Sequence, residues 1–333
     1  MHNFAKVELV ILTAFAALFR FYNLHFQCIW TEEQYTAQMS ARTISEIIQY
    51  SITTDFTPPI YYLLAHVADP RVVSAVAGVL LIPVMYYCGM KYRNEQVGLI
   101  SAAFTTISQP LIYYSQFGRA YSLALLLFAV TLYFYLDLRK SKDALPSGML
   151  YLFIATATIY VHLYAAIPII VMTLLLDRKF ESYIILGIGM LISPLAAIVA
   201  NAFYTRTNAV ASYGLNWWQL LYITPLEFFS GAWIPCLYLA ITGFWNSPEA
   251  KDLFLISIVT IAVAVVASFF TPMFARYYLF VLIIATIIIS AEIDRLIEKS
   301  QFKTLIVFTI LTAIVFLQFN ELSAHYYIQK YTC

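Results

Sequence analysis

The feature that most constrains this chain is the recurrence of apolar runs long enough to cross a bilayer, with charge gathered in the breaks between them. Spans of this kind are sought at about 17–25 residues. They fall at 7–24, 72–90, 97–114, 120–137, 147–161, 163–176, 182–202, 223–244, 252–271, 275–291 and 303–319. Composition agrees: 62% of the residues are hydrophobic and 11% charged, against about 45–50% and 25% in soluble domains. The expected fold class is all-α, a polytopic membrane helical bundle of about eleven transmembrane helices. A net charge of +1 offers no surface for a polyanion, so membrane lipids are expected as partners and nucleic acid is not. There is no repeat, low-complexity tract or Gly/Ser linker. The chain therefore reads as one membrane domain over 1–333 with no soluble domain. The run after Lys6 and Glu8 reads as a first span rather than a removed signal peptide.

The stretch 146–176 is too long for one upright helix. A hairpin turning at His162 keeps Lys142 and Arg178 on one side. With the N-terminus inside, eight of nine lysines then lie inside and six of ten arginines outside. That bias sets the orientation, and it puts the first loop, 25–70, on the outer face. Lysine serves as an anchor, whereas arginine presents a rigid fork for carboxylate or phosphate. The outer arginines either snorkel or build a phosphate site. The four cysteines, Cys28, Cys88, Cys236 and Cys333, show no metal spacing and no disulfide framework. Cys28 and Cys333 fall on the same side, which leaves a bridge between them open.

Between the first two apolar blocks lies a polar insert, residues 29–62, holding Glu32, Glu33, Glu46 and Asp55. Ala37, Ala41, Ile44 and Ile48 recur at helical period, with Glu32, Tyr35, Met39, Arg42 and Glu46 opposite. This predicts one amphipathic helix over 31–49, lying in the outer interface with its apolar stripe against protein or lipid. Thr31 is its expected N-cap, with two acids in the first turn. Pro58 and Pro59 break the chain, and a new helix starts at Ile60.

In this topology the polar clusters all fall outside. Beyond Glu32, Glu33 and Asp55 they are Tyr113–Tyr121 with Arg119, then Tyr160–Tyr164 with His162, then Arg206, then Pro272–Tyr278 with Arg276 and Tyr277. Ionisable groups at membrane depth are costly and mark function. Each also has a plainer reading: His162 caps a hairpin turn, Arg42 pairs with Glu46 at i, i+4, Trp217 and Trp218 anchor the interface, and Glu227 beside Pro225 is a structural acid.

The order of these clusters resembles the GT-C fold glycosyltransferases, in the branch of protein O-mannosyltransferases and lipid A aminoarabinose transferases. The residues that carry the resemblance are Trp30-Thr31-Glu32-Glu33-Gln34-Tyr35, Pro58-Pro59-Ile60-Tyr61-Tyr62 and Arg71-x-x-Ser74-x-x-x-Gly78. Tyr114-Ser115-x-x-x-Arg119-x-Tyr121, Tyr160-x-His162-x-Tyr164 and Arg276-Tyr277 complete it. The match is dense over 20–125 and sparse beyond. Two positions depart from the family: the first-loop pair is usually Asp-Glu and is Glu32-Glu33 here, and Phe117 stands where members carry an acid.

The resemblance implies an inverting glycosyltransferase that moves a sugar from a polyprenyl-phosphate donor to a lipid, glycan or protein acceptor at the outer face of the cell membrane. It implies Glu32, Glu33 and Asp55 as candidate catalytic acids, Glu32 being the general base. It implies Arg119 and Arg276 with Tyr61 and Tyr121 on the donor phosphate, and Arg42, His162 and Tyr277 as further pocket residues. No cofactor is required by it; relatives differ in metal use, and without a D-x-D pattern a divalent cation stays open. Two rivals stay open as well. A transporter or lipid flippase would show inverted repeats and paired broken helices, and a non-catalytic relative would bind a lipid-linked sugar without turning it over.

Overall fold

The computed structural model describes residues 3–54, 57–140, 145–176, 217–247, 250–270 and 273–299, with positions 309, 312, 313, 316–318, 323, 325 and 326. Asp55, Arg206, Pro272 and Cys333, the span 182–202 and most of 303–319 lie outside the described residues. Within them the chain forms fourteen helices and no strand.

The bundle is built on α5 (Pro70–Tyr92). Asp69 caps it, its Oδ1 accepting from the N–H of Arg71 at 2.9 Å and of Val72 at 3.1 Å, and Pro70 at its first position has no N–H to leave unsatisfied. Against α5 pack α1 (Asn3–Phe21), α6 (Glu95–Ile107) and α8 (Tyr121–Lys140). Gly78 lets α5 approach Arg20 of α1 and Ser115 closely. A Cβ there would stand 2.5 Å from the Ser115 Cβ and 2.9 Å from the Arg20 Nε; small residues at such crossings are how membrane helices come together.

The expected span 97–114 is two helices, α6 and α7 (Gln109–Ser115), broken at Ser108. A break exposes carbonyls that must find donors. Arg20, fully buried, supplies them: its guanidinium donates to the carbonyls of Thr105 at 3.0 Å and Thr106 at 3.4 Å. Similarly the expected span 223–244 is α11 (Trp217–Phe229) and α12 (Trp233–Asn246), parted at Ser230, whose φ is 49°. The Ser230 hydroxyl donates to Gln109 Oε1 at 2.9 Å, tying one break to the other.

Over 146–176 the chain forms α9 (Leu145–Val161) and α10 (Ala166–Leu175), with His162 extended between them. Tyr151 and Thr173, 22 positions apart and centred on His162, share a hydrogen bond of 2.8 Å, so the two helices run back along one another. The Leu175 carbonyl reaches Arg139 at the end of α8. With α13 (Ala250–Ala267) and α14 (Phe280–Lys299) the described set is complete. Among the described residues four stretches are long and apolar enough to cross a membrane: Pro70–Tyr92, Tyr121–Lys140, Trp217–Asn246 and Ala250–Ala267. Pro146–Val161 and Leu163–Leu175 are shorter apolar helices.

One end of the bundle collects Lys91 with Asp137, Arg93 with Asp294 and Glu298, and Arg139 with Asp252. The opposite end carries the first loop, where the single helix expected over 31–49 is two: α2 (Thr31–Ser40) and α3 (Ile44–Thr53). Thr43 starts the second, accepting from the Glu46 N–H while Glu46 Oε2 accepts from the Thr43 N–H at 2.9 Å and its hydroxyl at 2.7 Å. This is a capping box, and the Thr-x-x-Glu spacing that encodes it outweighs helix continuity. Of the two surroundings expected for the apolar stripe, protein is excluded and lipid is left. Ala37, Ala41, Ile44 and Ile48 are exposed, while Glu33, Thr36, Met39 and Ser40 are buried. From Pro59 the chain enters α4 (Ile60–Val67), tied to α2 where His66 Nδ1 meets the Ser40 carbonyl at 2.8 Å.

Candidate active site

The adjacent glutamates of α2 have opposite surroundings. Glu33 is buried and saturated. Arg71 grips it side-on, Nε to Oε1 and Nη2 to Oε2, both at 2.8 Å. The Gly118 N–H adds 2.7 Å to Oε1 and the Trp30 N–H 3.1 Å to Oε2. Arg71 spends its remaining hydrogens on the carbonyls of Leu24, Gln27 and Cys28, which exhausts the five donors of a guanidinium. Gly118 is needed for this approach, because a Cβ would lie 3.0 Å from Glu33 Oε1 and 3.2 Å from the Pro70 Cβ. Four donors on two oxygens leave Glu33 no lone pair suited to proton abstraction. In this arrangement Glu33 braces the loop against α5 and the turn at Gly118.

Glu32 lies one residue earlier and about 100° round the helix. Its Oε1 accepts from Arg276 Nη2 at 2.7 Å. Its Oε2 is buried and, among the described residues, has no hydrogen-bond partner; the same holds for Arg276 Nε. The Arg276 guanidinium rests on the Phe274 ring, 4.3 Å from its centroid, a placement that holds a cation against an apolar wall.

Arg119 approaches from the turn before α8. Its Nη1 donates to Thr36 Oγ1 at 3.1 Å and to the Glu32 carbonyl at 3.4 Å, and Tyr62 hydrogen-bonds it as well. Burial works against its charge, but Tyr62, Tyr121 and Glu32 facing it overcome that, and its pKa stands above the usual arginine value. Two arginines from distant segments thus meet at one glutamate, Arg119 on its carbonyl and Arg276 on its carboxylate.

Aromatic rings close the rest. Tyr277 stacks on Tyr164 with centroids 4.9 Å apart and planes 6° from parallel. His162 lies against Tyr121, Tyr277 and Phe280, at 5.5, 6.4 and 5.7 Å. Tyr121, Tyr277 and His162 are therefore brought to the Arg276 side of Glu32.

Two expected residues are elsewhere. The Tyr61 hydroxyl is spent on the Pro70 carbonyl at 2.8 Å and on Ser74 Oγ at 2.9 Å. Burial pushes its phenol above the ordinary range. It is part of the α4–α5 joint, and its neighbour Tyr62 is the tyrosine that meets Arg119. Arg42, at the break between α2 and α3, is exposed and stacks over Tyr50 at 4.6 Å. Chain break and cation–π contact hold it away from Glu32. Asp55 lies outside the described residues.

Arg71 and Tyr62, which the sequence offers only as motif residues, and Thr36, which it does not single out, are also parts of this region. A signal existed: Arg71 and Ser74 share one face of α5 at i and i+3, and each makes a contact here. Ser74 donates to the Arg119 carbonyl at 3.1 Å, fixing the turn from which that arginine projects.

Among the described residues no group of three or more His, Cys, Asp or Glu side chains is placed to hold a metal ion. Cys28 is disulfide-bonded, and Cys88 and Cys236 are free; Cys333 lies outside the described residues.

No family model matches the sequence, and neither does any curated protein. Solved structures do. ArnT from Cupriavidus metallidurans in the apo state superposes with a TM-score of 0.64 at 14% identity, over 88% of this chain and 60% of that one. The same protein bound to undecaprenyl phosphate gives 0.62 at 16% identity, over 91% and 63%. The chain thus spans less than two thirds of the length of the structures it matches. At this identity the likeness is one of architecture, and the architecture is the GT-C fold of membrane glycosyltransferases.

Proposed function

We propose that the chain is an inverting glycosyltransferase that moves a sugar from a polyprenyl-phosphate donor to a hydroxyl acceptor, with Glu32 as general base and Arg119 and Arg276 on the phosphate. One observation carries the reading. Glu32 Oε2 is an unsatisfied acceptor and Arg276 Nε an unsatisfied donor, both buried and belonging to the same ion pair. Buried polar atoms are normally paired. A hydroxyl that donates to the carboxylate and a phosphate that accepts from the guanidinium satisfy both at once, and these are the two reactants of glycosyl transfer from a lipid phosphate.

In that reaction the acceptor oxygen attacks the anomeric carbon and loses its proton to Glu32. The bond from that carbon to the phosphate oxygen breaks on the opposite side, and polyprenyl phosphate departs with the additional negative charge. Arg119 and Arg276 are preorganised for that charge, and stabilisation of this kind is worth most where water is excluded. Side-on contact to a phosphate uses Nε together with Nη2. Nη2 is the nitrogen that Glu32 holds, so the arriving phosphate competes for it and releases the carboxylate as a base.

The binding of undecaprenyl phosphate by ArnT supports a polyprenyl phosphate here. The charge bias of the sequence supports a multi-pass protein with this site on the outer face. The disulfide at Cys28 supports the same side, because such bonds persist in oxidising compartments. The decisive experiment is transfer of radiolabelled sugar from a panel of undecaprenyl-phosphate sugars by purified protein in liposomes. Label should reach an acceptor with wild type and not with Glu32→Gln. Equal transfer by the two would remove Glu32 from the mechanism.

A further inference from the structure

Thr36 stands one turn after Glu32 on the same face of α2, at i and i+4. It is fully buried. Its hydroxyl donates to the Glu32 carbonyl at 3.2 Å. That bond alone is ordinary, since a threonine inside a helix commonly bonds the carbonyl four residues back. The same oxygen has a second use. It accepts from Arg119 Nη1 at 3.1 Å, whereas that nitrogen reaches the Glu32 carbonyl only at 3.4 Å. One hydroxyl thus joins the turn that carries the proposed base to the guanidinium proposed for the phosphate.

The turn before α8 is held in two ways, and they do different things. The Gly118 N–H donates to Glu33 Oε1 at 2.7 Å, and Ser74 donates to the Arg119 carbonyl at 3.1 Å. These bonds fix the main chain and leave the long Arg119 side chain still to be placed. Thr36 and Tyr62 place it. A guanidinium is planar and its donors form a rigid fork, so holding one nitrogen sets the direction of the others. Glu32 and Thr36 are about 6 Å apart along a single helix axis. Helix geometry therefore registers the arginine to the base.

We infer that Thr36 is a positioning residue for the proposed transfer. By tying Arg119 Nη1 to the turn of Glu32, it sets the separation between the group that takes the acceptor's proton and the group that meets the leaving phosphate. The inference rests on the donor chemistry proposed above. In an inverting displacement the entering and departing oxygens lie on opposite sides of the anomeric carbon, so that separation must match one geometry. A loosened Arg119 can still meet a bound phosphate, because opposite charges draw together. It is no longer held where the new charge develops. The loss then falls on the chemical step rather than on binding.

The test compares Thr36→Val, which keeps the shape and removes the hydroxyl, with Thr36→Ser, which keeps the hydroxyl. The full chain is purified and placed in liposomes, transfer is measured from the undecaprenyl-phosphate sugar that wild type uses, and a melting curve confirms that each variant is folded. Thr36→Val should lower kcat by about 10–100-fold, the range for one hydrogen bond to a charged group, with the donor's KM and the binding of undecaprenyl phosphate unchanged. Thr36→Ser should recover most of the rate. Should Thr36→Val not melt cooperatively, Thr36→Ala, which also lacks the hydroxyl, carries the same expectation. In Arg119→Met there is no guanidinium to place, so adding Thr36→Val should cost nothing more, as coupling through one partner requires. Three results overturn the inference and leave the donor reading standing: wild-type kcat or a loss confined to KM in Thr36→Val, an equal loss in Thr36→Ser, or the same further loss on top of Arg119→Met. If wild type transfers no sugar from any donor of the panel, the donor reading falls and this inference with it.

Discussion

Arg276 reaches Glu32 with one nitrogen, whereas Arg71 takes Glu33 with two. The first pair leaves a buried donor and a buried acceptor unused; the second leaves neither. Neighbouring residues of one helix thus differ in what they leave unpaired, and under the proposed function substitutions at them should fail in different ways.

Glu32→Gln keeps size and burial but removes proton acceptance. Transfer should fall by about 10²–10⁴-fold, the usual contribution of a general base. Thermal stability and undecaprenyl phosphate binding should be retained, as read by a melting curve and a binding isotherm on the same preparation. Glu32→Asp should keep activity well above the glutamine variant.

Glu33→Gln should act on folding. Removing one charge of a buried pair strands the other, at about 3–5 kcal/mol. The variant should melt far below wild type, with any folded fraction turning over normally. A variant with wild-type melting and lost turnover would return Glu33 to the catalytic candidates.

Arg276→Lys and Arg119→Lys preserve charge and lose the fork. Each should lower transfer by about 100-fold, comparable to deleting one donor to a developing anion, and Arg276→Lys should also weaken undecaprenyl phosphate binding. Wild-type rates in both would exclude the phosphate role.

Gly78→Ala should destabilise by about 1–3 kcal/mol, as overpacking does, because the new methyl meets Ser115 and Arg20. A melting temperature within a degree of wild type would mean that the crossing of α5 and α7 is looser than described.

The start of α3 should respond to acid. Thr43 hydrogen bonds hold the Glu46 carboxyl below its ordinary pKa. For a depressed carboxylate the contribution is complete above the unfolded-state value and is lost as pH falls through the folded-state one. Protection of the amides over 44–47, measured as exchange relative to the intrinsic rate at each pH, should therefore fall as pH drops through the acid range, and Thr43→Ala should weaken that dependence.

The bundle was legible in the sequence because apolar length and charge bias act on whole segments. The turn at His162 followed from the length of the segment and from Lys142 and Arg178 flanking it. What escaped was set by single hydrogen bonds. No periodicity tells Glu32 from Glu33; that choice lies in Arg71 and Gly118, both distant in sequence. The division of 31–49 was encoded in Thr43 and Glu46, but the stripe of Ala37, Ala41, Ile44 and Ile48 was the larger pattern and hid it. The breaks at Ser108 and Ser230 needed Arg20 and Gln109 to satisfy them, and neither partner is a neighbour. Tyr61 and Tyr62 are equivalent in the motif, and only the packing of α4 on α5 assigns one to Ser74 and the other to Arg119.

The clamp on Glu33 also sets an order of events during synthesis. Its donors come from Trp30, Arg71 and Gly118, which are 3, 38 and 85 positions away. The first loop cannot dock until the turn at Gly118 has emerged and met α5. Arg276 follows only after a further long stretch of chain, 244 positions from Glu32. A nascent chain thus holds Glu32 apart from Arg276 until that later stretch is made, and under the proposed function a chain stalled before it should transfer no sugar.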